Sequence, residues 1–242
     1  AADTAGLYDT VEIFMENMGK SRSIVLVTPD AQRSMFTYLG ASKKLSVEDI
    51  DENIIKASKI TYIEAYLWDE DCDKEAIVKA AEIAHSYNRD VAFSLSDKSC
   101  VDRHREEFLN FIKNHVDILF GNEDEIKSLF AEEDFYKTLD MIKPHIDIAA
   151  VTRGAKGSVV VNGRTKIYVE SEKVENVVDT TGAGDLYAAG FLYGLTQGRS
   201  LGTCAMIGSI AAAEIISHYG ARPEISLRGL VRNKLLSYGK RA

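Results

Sequence analysis

The sequence predicts an α/β fold of three layers, helix on sheet on helix, with a mainly parallel sheet. Three observations carry that expectation. Apolar runs of strand length alternate with helical patterns, in units of the size a β-α-β crossover needs. Two of those runs, residues 116–120 (VDILF) and 146–151 (IDIAAV), are almost wholly apolar, as strands covered on both faces are. No repeat, low-complexity tract or Pro/Gly/Ser linker divides the 242 residues, so one α/β domain is expected over 1–242.

Residues 7–18 read as a helix, with Val11, Phe14, Met15 and Met18 on one stripe. Residues 23–28 (SIVLVT) read as a strand, Pro29-Asp30 as a turn, and residues 35–39 as a returning strand. Ser46 and Asp49 form a capping-box pattern that opens a helix to about residue 57. A strand at 60–66 is followed by the clearest helix, 74–87, where Ile77, Ala80, Ala81 and Ala84 share a face. Strand 91–95, helix 101–114, strand 116–120 and helix 122–130 come next. Strand 146–151 leads to a hairpin of 158–161 and 165–169, joined through Asn162-Gly163, which supplies the positive φ angles of a tight turn. Residues 184–196 and 201–217 are apolar helices rich in small residues, and 227–236 is a last helix.

Composition removes several functions. There are 29 Lys+Arg against 37 Asp+Glu, a net charge of −8. That balance argues against a nucleic-acid partner, which needs a basic stripe. It leaves room for a small phosphate ligand. Cys72, Cys100 and Cys204 are sparse and odd in number, so they read as free thiols in a cytoplasmic protein. No uncharged run reaches membrane-spanning length, and the longest candidate, 200–213, reads as a buried helix. Residues 1–4 have no signal-peptide character, and without an initiator Met the chain reads as processed or as a fragment. His85, His104, His115, His145 and His218 lack metal spacing, and no G-x-S-x-G elbow occurs. Trp68 reads as a partly packed loop aromatic, with substrate stacking as the alternative.

Ligands of parallel α/β sheets sit at the carboxyl ends of the strands. The strongest tip there is Asp179-Thr180-Thr181-Gly182-Ala183-Gly184-Asp185. Small residues at a helix mouth let unpartnered N–H groups approach an anion, and the macrodipole favours its charge. Asp185 at the edge of such a hole either caps the helix or takes a proton from an attacking hydroxyl. Two rival phosphate motifs fail. Tyr187 stands where the third glycine of a dinucleotide fingerprint belongs. Phe14 stands where the first glycine of a P-loop ending at Gly19-Lys20-Ser21 belongs. The tip Gly121-Asn122-Glu123-Asp124-Glu125 either complements the helix dipole or holds Mg²⁺ through Asn122 and Glu125. The tip Thr152-Arg153-Gly154-Ala155-Lys156-Gly157 is either a glycine turn or a cradle for a nucleotide phosphate. Together, three such tips compose a phosphoryl-transfer site.

The DTTGAGD segment, with the Ala/Gly-rich helix after it, resembles the C-terminal signature of the ribokinase-like (PfkB-type) carbohydrate and nucleoside kinases. Asn122-x-x-Glu125 resembles that family's magnesium/phosphate motif, and Thr152-Arg153-Gly154 to Gly157 its nucleotide loop. The resemblance implies Asp185 as the base and the amides of Gly182, Ala183 and Gly184 as the hole for the transferring phosphoryl group. It implies Asn122 and Glu125 near Mg²⁺ through water, and ATP lined by Thr152, Arg153, Gly154 and Gly157. His218 and Gly220-Ala221 would flank the adenine, and K⁺ would sit near Asp179 and Thr181. Val27-Thr28-Pro29-Asp30 with Arg33, Tyr66-Leu67-Trp68-Asp69 and Ser94-Leu95-Ser96-Asp97 look most like bacterial adenosine kinase-type members. Adenosine is thus the expected acceptor. A free sugar such as ribose or fructose is the alternative, and a non-catalytic nucleotide-binding fragment is an alternative of another class.

One departure stands out. The family's Gly-Gly-Asn-type segment, which grips the substrate sugar, is absent. Asp3-Thr4-Ala5-Gly6 resembles the D-x-x-G that follows it. The chain thus resembles a member without its front strands, with 23–40 as the remnant of a small β lid. Exposed sheet edges invite association, and a homodimer is the assembly considered.

Overall fold

The computed structural model describes residues 21–29, 31, 33–69 and 71–239. The helix expected at 7–18 and the segment 3–6 lie outside them. Strands β1 (Arg22–Val27) and β2 (Arg33–Tyr38) form an antiparallel ribbon of their own, with Ile24 opposite Phe36. The main sheet has six strands in sequence order: β3 (Ile60–Glu64), β4 (Asp90–Ser94), β5 (Ile118–Asn122), β6 (Ile148–Thr152), β7 (Ser158–Asn162) and β8 (Thr165–Val169). The pairs from β3 through β6 are parallel, whereas β7 and β8 run antiparallel as a hairpin. The expected α/β sheet, mainly parallel with helices on both faces, is the one found.

Helices α1 (Glu52–Ala57), α2 (Asp71–Ser86), α3 (Lys98–His115), α4 (Glu123–Phe130) and α5 (Phe135–Ile142) precede β6. Helices α6 (Ala183–Thr196), α7 (Leu201–Ile215) and α8 (Leu227–Gly239) follow β8. The side-chain period of two divides the sheet between them. Val91 and Phe93 of β4 join a core with Ile77, Phe108, Phe111, Leu129 and Leu139. Ala92, with Phe120 of β5 and Val160 of β7, meets Tyr187, Phe191 and Cys204 on the other face. Trp68 is part of the first core: it is 4 % exposed, its ring lies 4.8 Å from that of Phe111, and its Nε1 donates to Glu107 Oε2 at 2.8 Å. Burial on this scale contributes about 1.5–3 kcal/mol per large side chain, so Trp68 is a core residue rather than a substrate platform.

Small residues let α6 and α7 touch. A Cβ built on Gly190 would stand 2.9 Å from Cα of Gly208 and from the Ile207 carbonyl. Among the described residues no helix is long and apolar enough to cross a membrane.

Two expectations need correction. The helix expected from Ser46 to about residue 57 is broken. The Ser46/Asp49 capping box closes a single 3₁₀ turn, Val47–Asp49, and Ile50 is extended. Asp51 then restarts the chain as a second N-cap, its side chain accepting from Asn53 N at 2.8 Å. The other correction is an addition. No element was expected between 130 and 146, yet Asp134 caps α5 by accepting from Tyr136 N at 2.9 Å, and Phe135, Leu139 and Ile142 bury its inner face.

Candidate active site

Helix α6 opens on Gly182, whose φ of +80° lies in the left-handed region that a Cβ penalises. The helix has no side-chain cap, so its first amides lack intrahelical partners and carry the positive end of the dipole. Ala183 departs from expectation. Its N–H donates to the Thr180 carbonyl at 3.3 Å and closes the turn, so one of the three expected anion donors is already committed. Asp185 stands in the first turn, three residues past the cap, and is exposed. Among the described residues its carboxylate makes no hydrogen bond or ion pair, so it is not the capping group.

A further difference concerns how this loop is delivered. The glycine loop does not follow a strand. Residues 170–182 between β8 and α6 are irregular, and the loop is held instead by side chains. Asp179 is 3 % exposed. Its Oδ1 accepts from Thr181 N at 2.9 Å and Thr181 Oγ1 at 2.6 Å, and its Oδ2 accepts from Gly220 N at 3.0 Å. Burial pushes its pKa up, but these donors outweigh it, and the carboxyl titrates below its usual range. A cation reaches the loop from β2, where Arg33 Nη1 donates to Thr180 Oγ1 at 2.6 Å.

Asp185 and Gly184 share a small cleft, about 70 Å³, with Asn122, Glu125, Thr152, Tyr187, Ser94 and Ser96. Parallel pairing explains the meeting: Asn122 ends β5, Thr152 ends β6, and the two are register partners. Asn122 caps α4 in a capping box. Its Oδ1 accepts from Glu125 N at 2.9 Å, and its own N donates to Glu125 Oε2 at 2.9 Å. Asn122 Nδ2 donates to Glu125 Oε1 at 2.6 Å. Glu125 is 6 % exposed, and burial pushes its carboxyl up to about 7, with the charges of Asp97 and Asp124 adding to the effect. Among the described residues no three His, Cys, Asp or Glu side chains converge on a metal position.

The remaining expected residues separate. Arg153 points away from the cleft. Its Nε donates to Glu123 at 2.9 Å and its guanidinium lies 4.3 Å from the Phe135 ring centre, so it fastens α4 and α5 rather than a phosphate. Gly154 has φ +55° and is exposed, while Gly157 is buried with φ +82°. A Cβ on Gly157 would fall 2.0 Å from the Val169 carbonyl, so its glycine is a packing requirement. His218 is turned to Glu214, with Nε2 3.3 Å from Oε1.

No local motif marks Glu64 or Tyr62 in the sequence, and Tyr66, Ser94 and Ser96 stand out there only through the family resemblance. Burial raises the pKa of Glu64 and the Asp185 charge raises it further. Tyr62 and Tyr66 are pushed up to about 12, burial again first, with Asp185 and Glu125 among the smaller causes. Glu64, Tyr66, Ser94 and Ser96 lie at or just beyond the carboxyl ends of β3 and β4, the position that could have found them, whereas Tyr62 lies mid-strand in β3.

The model of the pfkB family carbohydrate kinases matches residues 4–227. The structure of adenosine kinase from Sinorhizobium meliloti is 47 % identical and superposes with a TM-score of 0.87, over 88 % of this chain and 66 % of that one. A probable sugar kinase protein from Rhizobium etli CFN 42 is 43 % identical, TM-score 0.87, over 98 % of this chain and 75 % of that one. The 5-dehydro-2-deoxygluconokinase of Listeria monocytogenes serotype 4b (strain CLIP80459) is 27 % identical over 185 residues, 73 % of this chain. The chain spans 56 % of that relative's length.

Proposed function

Because the chain belongs to the pfkB family of carbohydrate kinases, we propose that it transfers the terminal phosphoryl group of ATP to a ribose hydroxyl of a nucleoside, with adenosine as the favoured acceptor. One observation carries the reading: the unengaged carboxylate of Asp185, at the amino end of α6, opens on the same cleft as Asn122 and Glu125. The acceptor oxygen forms a bond to the γ-phosphorus as the bond from that phosphorus to the β-bridging oxygen breaks. The hydroxyl proton passes to Asp185, and ADP leaves. The amides of Gly182 and Gly184, with the helix dipole, hold the charge on the transferring group.

Asn122 and Glu125 would hold Mg²⁺, which would supply positive charge to the phosphates of ATP. Thr152 and Gly154 line the phosphates, and Thr181, His218 and Gly220 belong to the nucleotide side. The family resemblance adds K⁺ beside Asp179 and Thr181, whose oxygens lie 2.6 Å apart. The Sinorhizobium relative favours adenosine as acceptor. The Rhizobium and Listeria relatives support a second reading within the family, a free sugar.

The test is Asp185→Asn in a coupled phosphoryl-transfer assay. Turnover should fall about 10²- to 10⁴-fold, the span of general-base contributions. A loss under about tenfold would take the base role from Asp185. Thermal-shift titration with adenosine, ribose and fructose separates the acceptors, since a ligand that binds only the native state raises the midpoint.

A further inference from the structure

Helix α6 carries Asp185, yet no strand leads into it: residues 170–182 between β8 and α6 are irregular. Its placement against the sheet therefore depends on side chains. One polar contact does this from inside the core. Tyr187 Oη donates to Oγ of Ser158, the first residue of β7, at 2.8 Å. Both residues are buried, and among the described residues neither hydroxyl has another partner. Burying two hydroxyls is costly unless they pair, and here each answers the other. Burial pushes the phenol up to about 12 against the opposing effect of Ser158, so it keeps its proton and remains the donor.

The main chain of Tyr187 is held from the other side. A Cβ built on Gly208 of α7 would stand 2.7 Å from the Tyr187 carbonyl oxygen and 3.0 Å from Cδ2 of its ring. Tyr187 is thus gripped between α7 and β7, and α6 cannot slide or turn there without breaking one contact or the other.

Both ends of the hydrogen bond belong to the cleft. Tyr187 lines it together with Gly184, Asp185 and Thr152. Ser158 is the register partner of Thr152, and it follows Gly157, whose carbonyl accepts from Arg153 N at 2.8 Å. One bond therefore joins the helix of Asp185 to the strand pair that carries the loop from Thr152 to Gly157.

We propose that the Tyr187–Ser158 hydrogen bond sets the spacing between the amino end of α6 and the Thr152–Gly157 loop, and so brings the terminal phosphate of ATP into line with Asp185. Both are positioning residues, acting through the elements that they join. The proposal rests on the phosphoryl-transfer reading. Reacting atoms must approach to about 3–3.5 Å, and a displacement of about 1 Å can cost about a hundredfold in rate.

The full chain, Tyr187→Phe, Ser158→Ala and the double variant test this. Each single change leaves one buried hydroxyl unpaired and should lower the thermal midpoint. The double change removes both groups, so its midpoint should lie nearer to that of the wild type than either single variant does. Turnover separates positioning from stability. With ATP and adenosine in the coupled assay, kcat should fall about tenfold in each single variant and stay down in the double variant, while the KM for ATP and the Kd for its β,γ-imido analogue stay within about threefold of wild type. A bond that only stabilised the fold would return turnover to the double variant along with its midpoint.

A kcat within about threefold of wild type, in folded Tyr187→Phe or in the double variant, would overturn the spacing role and leave the kinase reading intact. A folded wild-type chain that transfers no phosphate to adenosine, ribose or fructose would overturn both. Should the double variant not fold, Tyr187→Phe decides by itself.

Discussion

Gly220 donates its backbone N–H to Oδ2 of Asp179 at 3.0 Å, joining two loops 41 positions apart in the sequence. Together with the Thr181 donors on Oδ1, this makes Asp179 the fastening between the glycine loop and the segment after α7. The glycine loop is thus positioned from outside itself.

Replacing Asp179 with Ala should therefore loosen both loops. Three donors would lose their acceptor, which costs on the order of 2–4 kcal/mol when the groups stay buried. The KM for ATP should rise more than the KM for the acceptor, because Asp179 ties the nucleotide side. Equal changes in both would refute the assignment. The pH sense follows from the depressed carboxyl: its stabilisation is complete above its ordinary value of 3.8 and is lost as pH falls through the lower folded value. Nucleotide affinity measured down to about pH 3 should weaken only in that acid range.

Glu125 behaves in the opposite sense. Its carboxyl is raised from 4.5 to about 7, burial being the main cause. Its contribution to stability is full below 4.5 and is lost as pH rises through about 7, a swing on the order of 3 kcal/mol. Carboxyl ¹³C resonances of the metal-free protein should show one glutamate titrating near 7. Adding Mg²⁺ with the imido analogue of ATP should move that midpoint down, because a nearby cation favours the carboxylate. A midpoint below 5 in the metal-free protein would show that the site is wetter than the geometry indicates.

How much of this was legible depends on what each residue answers to. The sheet was readable because VDILF and IDIAAV are buried on both faces, and burial of that kind leaves apolar runs. Asn122 and Glu125 stood out because they lie one turn apart at a strand tip, but their capping box came only with the structure. Arg153 differs, because its contacts are not local. Its neighbours Gly154 and Gly157 suggested a phosphate cradle, but its partners Glu123 and Phe135 lie 30 and 18 positions away. α5 escaped because eight residues are too few for a clear period. Glu64 escaped because nothing in its neighbourhood along the chain marks it; only the parallel pairing of β3 brings it toward Asp185.

Arg153 supplies the sharpest separation of scaffold from chemistry. A cation in a Gly-rich loop at a strand end would ordinarily be credited with phosphate binding, and Arg153→Ala would then weaken ATP by tenfold or more. The structure gives it other partners: a charged hydrogen bond to Glu123 at 2.9 Å, a ring face of Phe135 at 4.3 Å, and Tyr136 at 5.8 Å. The guanidinium is 14 % exposed and Glu123 20 %, so solvent screens the pair only in part. A charged hydrogen bond contributes about 1.5–3 kcal/mol and a cation–π contact about 0.5–1, so removal should cost on the order of 2–3 kcal/mol of stability. Arg153→Lys should recover little of it, because an ammonium cannot both stack on the ring and present the planar fork. Urea unfolding of the two variants, alongside their Kd for the imido analogue of ATP, decides the matter: the expected result is a lowered midpoint with affinity within about threefold of wild type, and an unchanged midpoint with lost affinity would return Arg153 to the phosphates.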